Sequence, residues 1–146
     1  AEFILCTGLF DDENDLVYYK NFLKKYINKR MVCTNPDLIV YRGVKEEYCA
    51  GSVAKIFEKV GGKVIYYGKP YPEIYKNCIQ NEKKILVIGD NLNTDIRGAN
   101  NMQYDCLFIL NGIHRSEFKN LNSNSFCKIF KKYKVTINFY QNQLLW

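Results

Sequence analysis

Short apolar runs bounded by glycine, proline or acidic turns alternate along the chain with stretches of helical spacing. Phe3-Ile-Leu-Cys-Thr7 is a compact apolar run closed by Gly8 and predicts a buried strand. After the acidic turn Asp11–Asp15, apolar positions Val17, Phe22, Leu23, Tyr26 and Ile27 predict a helix over about 16–28. Acidic residues lie before it and Lys29 and Arg30 at its end, as the helix dipole favours. Met31–Cys33 reads as a second strand, broken by Thr34-Asn-Pro-Asp37, and Leu38–Tyr41 as a short extended piece. A helix over about 50–60 ends at Gly61-Gly62, and Val64–Tyr67 forms the next strand. Pro72 then suits the start of a helix to about Asn81.

Lys84-Ile-Leu-Val-Ile-Gly89 is the clearest strand. Its continuous apolar run is the pattern of a central parallel strand buried on both faces. Asn93–Asn101 reads as a short helix and Asp105–Leu110 as the following strand, ended by Asn111-Gly112. Beyond Ile113 the pattern weakens, and Asn120–Ser125 reads as loop. Strand, turn, helix, strand is the grammar of an α/β fold with a parallel sheet.

Composition narrows the class. The 146 residues are 47% hydrophobic and 25% charged, enough to build a core without a disulfide or metal staple. No run approaches the roughly 20 apolar residues of a membrane span, and no secretory signal pattern is visible. The chain begins at Ala1, as a processed or partial chain would. Net charge is +6, but the lysines are scattered apart from Lys128, Lys131, Lys132 and Lys134, so they read as a solvated surface and not a nucleic-acid face. Cys6, Cys33, Cys49, Cys78, Cys106 and Cys127 form no Cys-x-x-Cys pair, and several sit in apolar runs. They read as free thiols in a reducing, cytoplasmic setting. The single His114 reads as a loop or capping residue.

The chemistry concentrates at two strand ends. In open parallel sheets, ligands bind beyond the carboxyl ends of the strands. Asp90 stands there after the strongest strand, and Asp95 follows at a helix start. A carboxylate on a strand end is a hard oxygen ligand suited to Mg²⁺, and the N–H groups of an adjacent helix start favour an anion. Lys69, directly after another strand, could reach the same edge and offer a point charge for phosphate.

Gly68-Lys-Pro-Tyr-Pro-Glu-Ile-Tyr75 followed by Val87-Ile-Gly-Asp-Asn-Leu-Asn-Thr-Asp-Ile-Arg-Gly-Ala99 resembles the C-terminal signature of haloacid dehalogenase superfamily phosphatases. The branch it is most similar to is subclass IIA, the NagD-like sugar- and nucleotide-phosphatase group, with a large cap inserted late in the core. Cys33-Thr-Asn-Pro-Asp37 resembles that branch's cap segment. The resemblance implies a partial Rossmann-like parallel core at 67–146 and the remainder of an α/β cap at 1–66. It implies that Lys69 stabilises the attacking group and the phosphoryl oxygens, and that Asp90 ligates Mg²⁺. Asn91, Leu92, Asn93 and Thr94 would line the phosphate side of the pocket, Asp95 would orient Lys69 or metal-bound water, and Asn35 and Asp37 would face a small phosphorylated substrate from the cap.

One part of the signature is missing. The superfamily's nucleophile is the first Asp of an Asp-x-Asp motif, and Asp11-Asp12-Glu13 lacks that spacing. The motif that binds phosphate from the second core strand is missing too. Lys69, a metal and a helix end stabilise charge but cannot attack phosphorus. Two readings follow: the C-terminal part of a Mg²⁺-dependent phosphatase, inactive alone, whose N-terminal portion carrying Asp-x-Asp is a separate chain or a segment missing from this sequence, or a non-catalytic binding remnant that associates through its sheet, for example as a homo-oligomer.

Overall fold

The computed structural model describes residues 1–119 and 123–145. They form two compact units, Ala1–Gly68 and Lys69–Trp146.

In the first unit, β1 (Phe3–Cys6), β2 (Arg30–Cys33) and β5 (Lys63–Tyr66) form a parallel sheet in the order β1-β2-β5. Cys6 lies in register with Cys33, and Cys33 with Tyr66. α1 (Leu16–Leu23) and α2 (Ala50–Lys59) supply the apolar cover. Tyr19, Leu23, Val53, Ala54 and Phe57 close over Cys6, Met31 and Cys33. Asp15 caps α1, its side chain accepting the Val17 N–H at 2.8 Å. α1 stops at Leu23 and tightens into a 3₁₀ turn, Lys24–Tyr26, short of the helix end expected near 28. α2 ends as expected: Gly61 adopts φ +99°, and the Gly61 and Gly62 N–H groups donate to Glu58 and Phe57 carbonyls at 3.0 and 2.9 Å. The expected extended piece at 38–41 is one half of a hairpin, β3 (Ile39–Arg42) against β4 (Lys45–Tyr48). β4 is Lys-Glu-Glu-Tyr and largely exposed, so it carries no apolar alternation to betray it.

In the second unit, β6 (Leu86–Gly89), β7 (Asp105–Ile109) and β8 (Phe139–Gln141) form a parallel sheet in the order β6-β7-β8. α4 (Arg97–Met102), α5 (Arg115–Phe118) and α6 (Ser123–Tyr133) accompany it. Leu92, Ile96, Ala99, Cys106, Phe108, Phe118 and Phe126 make its core. α3 (Pro72–Cys78), shorter than expected, lays Tyr75 against Tyr104 in an edge-to-face contact. Of the stretch read as loop, 120–122 lie outside the described residues, and from Ser123 the chain is helical, with Phe126, Ile129, Phe130 and Tyr133 on its packed side. β8 was not visible in the sequence pattern.

Among the described residues both sheets are covered on one face only, which corrects the two-sided burial expected of the Lys84–Gly89 run. Leu86 and Ile88 are 49% and 37% exposed, and β6 is an edge strand among the described residues. Likewise Phe3 and Leu5 of β1, expected to be buried, are 52% and 59% exposed. A continuous apolar run records hydrophobicity on both faces of a strand and not the presence of a layer to cover the second. Among the described residues no helix is long and apolar enough to cross a membrane.

Candidate active site

The second unit gathers its polar groups where β6 and β7 end. Gly89 closes β6, Asp90 and Asn91 turn away from the sheet, and residues 92–96 form a single wide π-type turn before α4. The expected helix over 93–101 therefore begins with this turn. The Asn91 carbonyl accepts both the Asp95 N–H at 3.0 Å and the Ile96 N–H at 3.2 Å. Such turns recur at functional sites because they re-aim side chains and backbone. Asn91 also caps the turn, its Oδ1 accepting the Asn93 N–H at 2.9 Å.

Asp95 is the pivot. It is 4% exposed, and its Oδ2 accepts the Asp90 and Asn91 N–H groups at 3.1 and 3.0 Å. Its Oδ1 pairs with the Lys69 ammonium, which stands on the turn before α3. A buried carboxylate needs such partners to offset desolvation. The side chain of Lys69 is 46% exposed, so it reaches solvent while one end is tethered. Gly89 makes the approach possible: a Cβ there would lie 2.2 Å from the Asp95 carboxylate carbon. Tyr75 packs its hydroxyl over Gly98, and that buried oxygen finds no hydrogen-bond partner among the described residues. Burial, and then the Asp95 charge, pushes its pKa up to about 12.

Asp90 is held differently. Its Oδ2 accepts the Ile113 N–H at 2.9 Å, from the segment after β7. Gly112 makes room there, since a Cβ would sit 2.2 Å from the Asp90 Cβ. Asp90 puts a hard carboxylate on this rim beside the paired Asp95. Among the described residues no group of three His, Cys, Asp or Glu converges to hold a metal ion. The donor set therefore fits Mg²⁺ only as a partial site, with the remaining ligands supplied by water, phosphate oxygens or another polypeptide.

Lys69, Asp90, Asn91 and Asp95 thus form one hydrogen-bonded array, with Leu92 and Thr94 buried beneath it and Asn93 exposed. Asn35 and Asp37 belong to the first unit. There Asn35 Oδ1 accepts the Asp37 N–H at 3.1 Å, and both line a polar cleft of about 580 Å³ with Thr7, Asp11, Arg42 and Glu47.

His114 stands in a turn at the N-cap of α5, in keeping with the loop or capping role expected of it, and it makes further contacts. It is 7% exposed, and its Nε2 accepts the Leu92 N–H at 3.2 Å. Its Nδ1 lies 2.8 Å from Glu117 Oε1. Burial would raise the Glu117 pKa, but hydrogen bonds from Tyr133, Lys132 and His114 hold it down to about 2. The Tyr133 hydroxyl is pushed up to about 12 by burial and by Glu117. The available sequence signal was position: Gly112-Ile-His114 follows the strand beside β6, at the same carboxyl rim as Asp90.

Residues 66–126 match the family model described as HAD-hydrolase-like. A comparison with curated proteins found no match. Among solved structures, a haloacid dehalogenase-like hydrolase from Brucella suis 1330 is similar at 28% identity and a TM-score of 0.79, over 99% of this chain and 56% of that one. The p-nitrophenyl phosphatase of Archaeoglobus fulgidus is similar at 17% identity and a TM-score of 0.67, over 98% and 54%. NagD from E. coli K-12 is similar at 21% identity and a TM-score of 0.60, over 97% and 53%. The chain spans about half the length of these structures. Residues 66–126 thus carry the family match, the chain as a whole shares the fold of these structures, and no Asp-x-Asp spacing occurs in its sequence.

Proposed function

We propose that this chain provides the charge-stabilising half of a Mg²⁺-dependent phosphatase acting on a small phosphorylated substrate such as a sugar or nucleoside phosphate. The observation that carries this reading is the Lys69–Asp95–Asp90 array at the carboxyl rim of β6. Asp95 fixes the Lys69 ammonium beside the Asn91–Thr94 turn, so its charge is already aimed when a phosphate arrives. Preorganised charge of this kind stabilises the extra negative charge of the transition state without costly rearrangement. Asp90 serves as one carboxylate ligand of Mg²⁺, which when bound neutralises phosphoryl charge. The turn formed by Asn91, Leu92, Asn93 and Thr94 lies on the phosphate side. In this reading 1–66 is the remainder of the cap and 67–146 the C-terminal half of the core, working in the cytoplasm with its six thiols free.

The attacking carboxylate comes from an Asp-x-Asp segment outside these 146 residues, so the chain alone turns over nothing. A strand bearing it would add at the open edge of β6, where main-chain groups await pairing. Phosphate release from p-nitrophenyl phosphate tests the proposal, with and without Mg²⁺ and with and without an added polypeptide carrying Asp-x-Asp. Turnover only in the complemented, Mg²⁺-containing mixture, abolished by Lys69→Ala or Asp90→Asn, is the expected result. Turnover by the chain alone that survives both substitutions would refute it.

The uncovered apolar faces favour a second reading, a non-catalytic protein that associates through its sheets. A stable homo-oligomer that the Asp-x-Asp polypeptide neither dissociates nor activates would decide for it.

A further inference from the structure

We infer that His114 is a positioning residue that holds the phosphate-facing turn at Leu92 through a neutral imidazole protonated on Nδ1. This builds on reading the Asn91–Thr94 turn as the phosphate side of the site. The assignment follows from which atoms face each other. Nε2 lies 3.2 Å from a backbone N–H, which can only donate, so Nε2 carries no proton. Nδ1 lies 2.8 Å from Glu117 Oε1, and Glu117, ionised across the physiological range, can only accept. One proton therefore resides on Nδ1 and points at Glu117.

Glu117 is held in turn from α6. The Tyr133 hydroxyl donates to its Oε1 at 2.6 Å, and the Lys132 ammonium binds its Oε2 at 2.9 Å. The imidazole is wedged edge-on against Tyr133, ring centroids 4.9 Å apart, and beside Phe108 at 6.4 Å. These contacts fix the ring as well as its tautomer. The carboxylate and ammonium that act on it are Glu117 and Lys132. A relay thus runs from α6 through Glu117 and His114 to the Leu92 N–H, next to Asn91 and two residues from Thr94. A core histidine with no such duty could be replaced by any ring of its size, and this one could not.

The test uses the full chain. ¹⁵N spectra of the histidine ring in the unaltered protein should show a protonated Nδ1 and an unprotonated Nε2 at neutral pH; the opposite tautomer overturns the inference without any variant. His114→Gln places an oxygen near the Nε2 position and should keep the Leu92 amide protected from hydrogen exchange. His114→Asn is too short to reach it, and Leu92 exchange should rise about tenfold. Orthophosphate, titrated into each variant and followed at the Asn91–Thr94 amides, should bind the Gln variant like the parent and the Asn variant several-fold more weakly. Equal Leu92 protection in the two variants, or equal phosphate affinity, overturns the positioning role. A parent that binds no phosphate while the tautomer and exchange results hold would instead overturn the phosphoryl reading of the turn and leave His114 as its anchor.

Discussion

Asp95→Asn is the substitution that most directly probes the rim. The change is nearly isosteric, so its cost is electrostatic. The carboxylate accepts two backbone N–H groups on Oδ2 and the Lys69 ammonium on Oδ1 while 4% exposed. An amide can keep its oxygen toward the backbone pair, but its NH₂ then faces the ammonium. Alternatively it keeps Lys69 and points donors at donors. In the first arrangement two charge-assisted bonds become neutral ones, a loss of about 1 kcal/mol each. The lysine side chain is 46% exposed, so it can swing into water and its share is at most about 1 kcal/mol. The sum is about 3 kcal/mol, or about a hundredfold in an opening equilibrium. Hydrogen exchange of the second unit reads it directly: amides from β6 to β7 should exchange about a hundredfold faster, the Asp90 and Asn91 amides at least as much. Asp11→Asn, on the exposed acidic turn, should change nothing measurable. If Asp95→Asn left the Asp90 and Asn91 amides as protected as before, the claim that this carboxylate organises the rim would be wrong.

Other consequences can be measured on the same protein. Gly89→Ala should destabilise the second unit by about 2 kcal/mol in urea denaturation, because its Cβ would fall 2.2 Å from the Asp95 carboxylate carbon and push it out of place. Lys69→Ala should cost less than about 1 kcal/mol of stability, yet weaken orthophosphate binding at least tenfold by titration, since a half-exposed ion pair contributes little to folding and much to an anion site. Glu117 has a pKa lowered from its ordinary 4.5 to about 2, so it favours the fold above 4.5, and that contribution is lost as pH falls from 4.5 through 2. Glu117→Gln should flatten the acid limb of the stability curve across that window, and a limb of unchanged steepness would count against the Tyr133, Lys132 and His114 contacts. Leu86→Lys with Ile88→Lys should leave the core intact and reduce self-association in sedimentation, because both side chains are exposed on the open face of β6.

The sequence by itself determined the chemistry-bearing turns and the parallel strands that carry them. Periodicity and turn residues are local, so Leu86–Gly89 ending at Asp90, and Pro72 starting a helix, were legible without coordinates. Gly-Lys-Pro and Gly-Asp-x-x-x-Thr-Asp were legible too, because their residue types and spacing are local and carry the family resemblance within short segments. The polar hairpin strand Lys45–Tyr48 was not, as it alternates nothing and buries little. Nor was α6 read, because its Asn- and Ser-rich start resembles a loop, although Phe126, Ile129, Phe130 and Tyr133 stand at the helical spacing that packs against Phe118. Tertiary structure alone decided which hydrogen bonds the rim makes. His114 and Leu92 stand 22 residues apart, and Lys69 and Asp95 stand 26 apart. No local pattern encodes such pairings: His114 follows β7, which ends beside β6, whereas Lys69 reaches Asp95 from the turn before α3 and not, as the sequence suggests, from a strand of the same sheet. Tertiary structure also decided that the run through Leu86 and Ile88 is covered on one face and open on the other, since burial depends on which layers are present and not on how apolar a strand is.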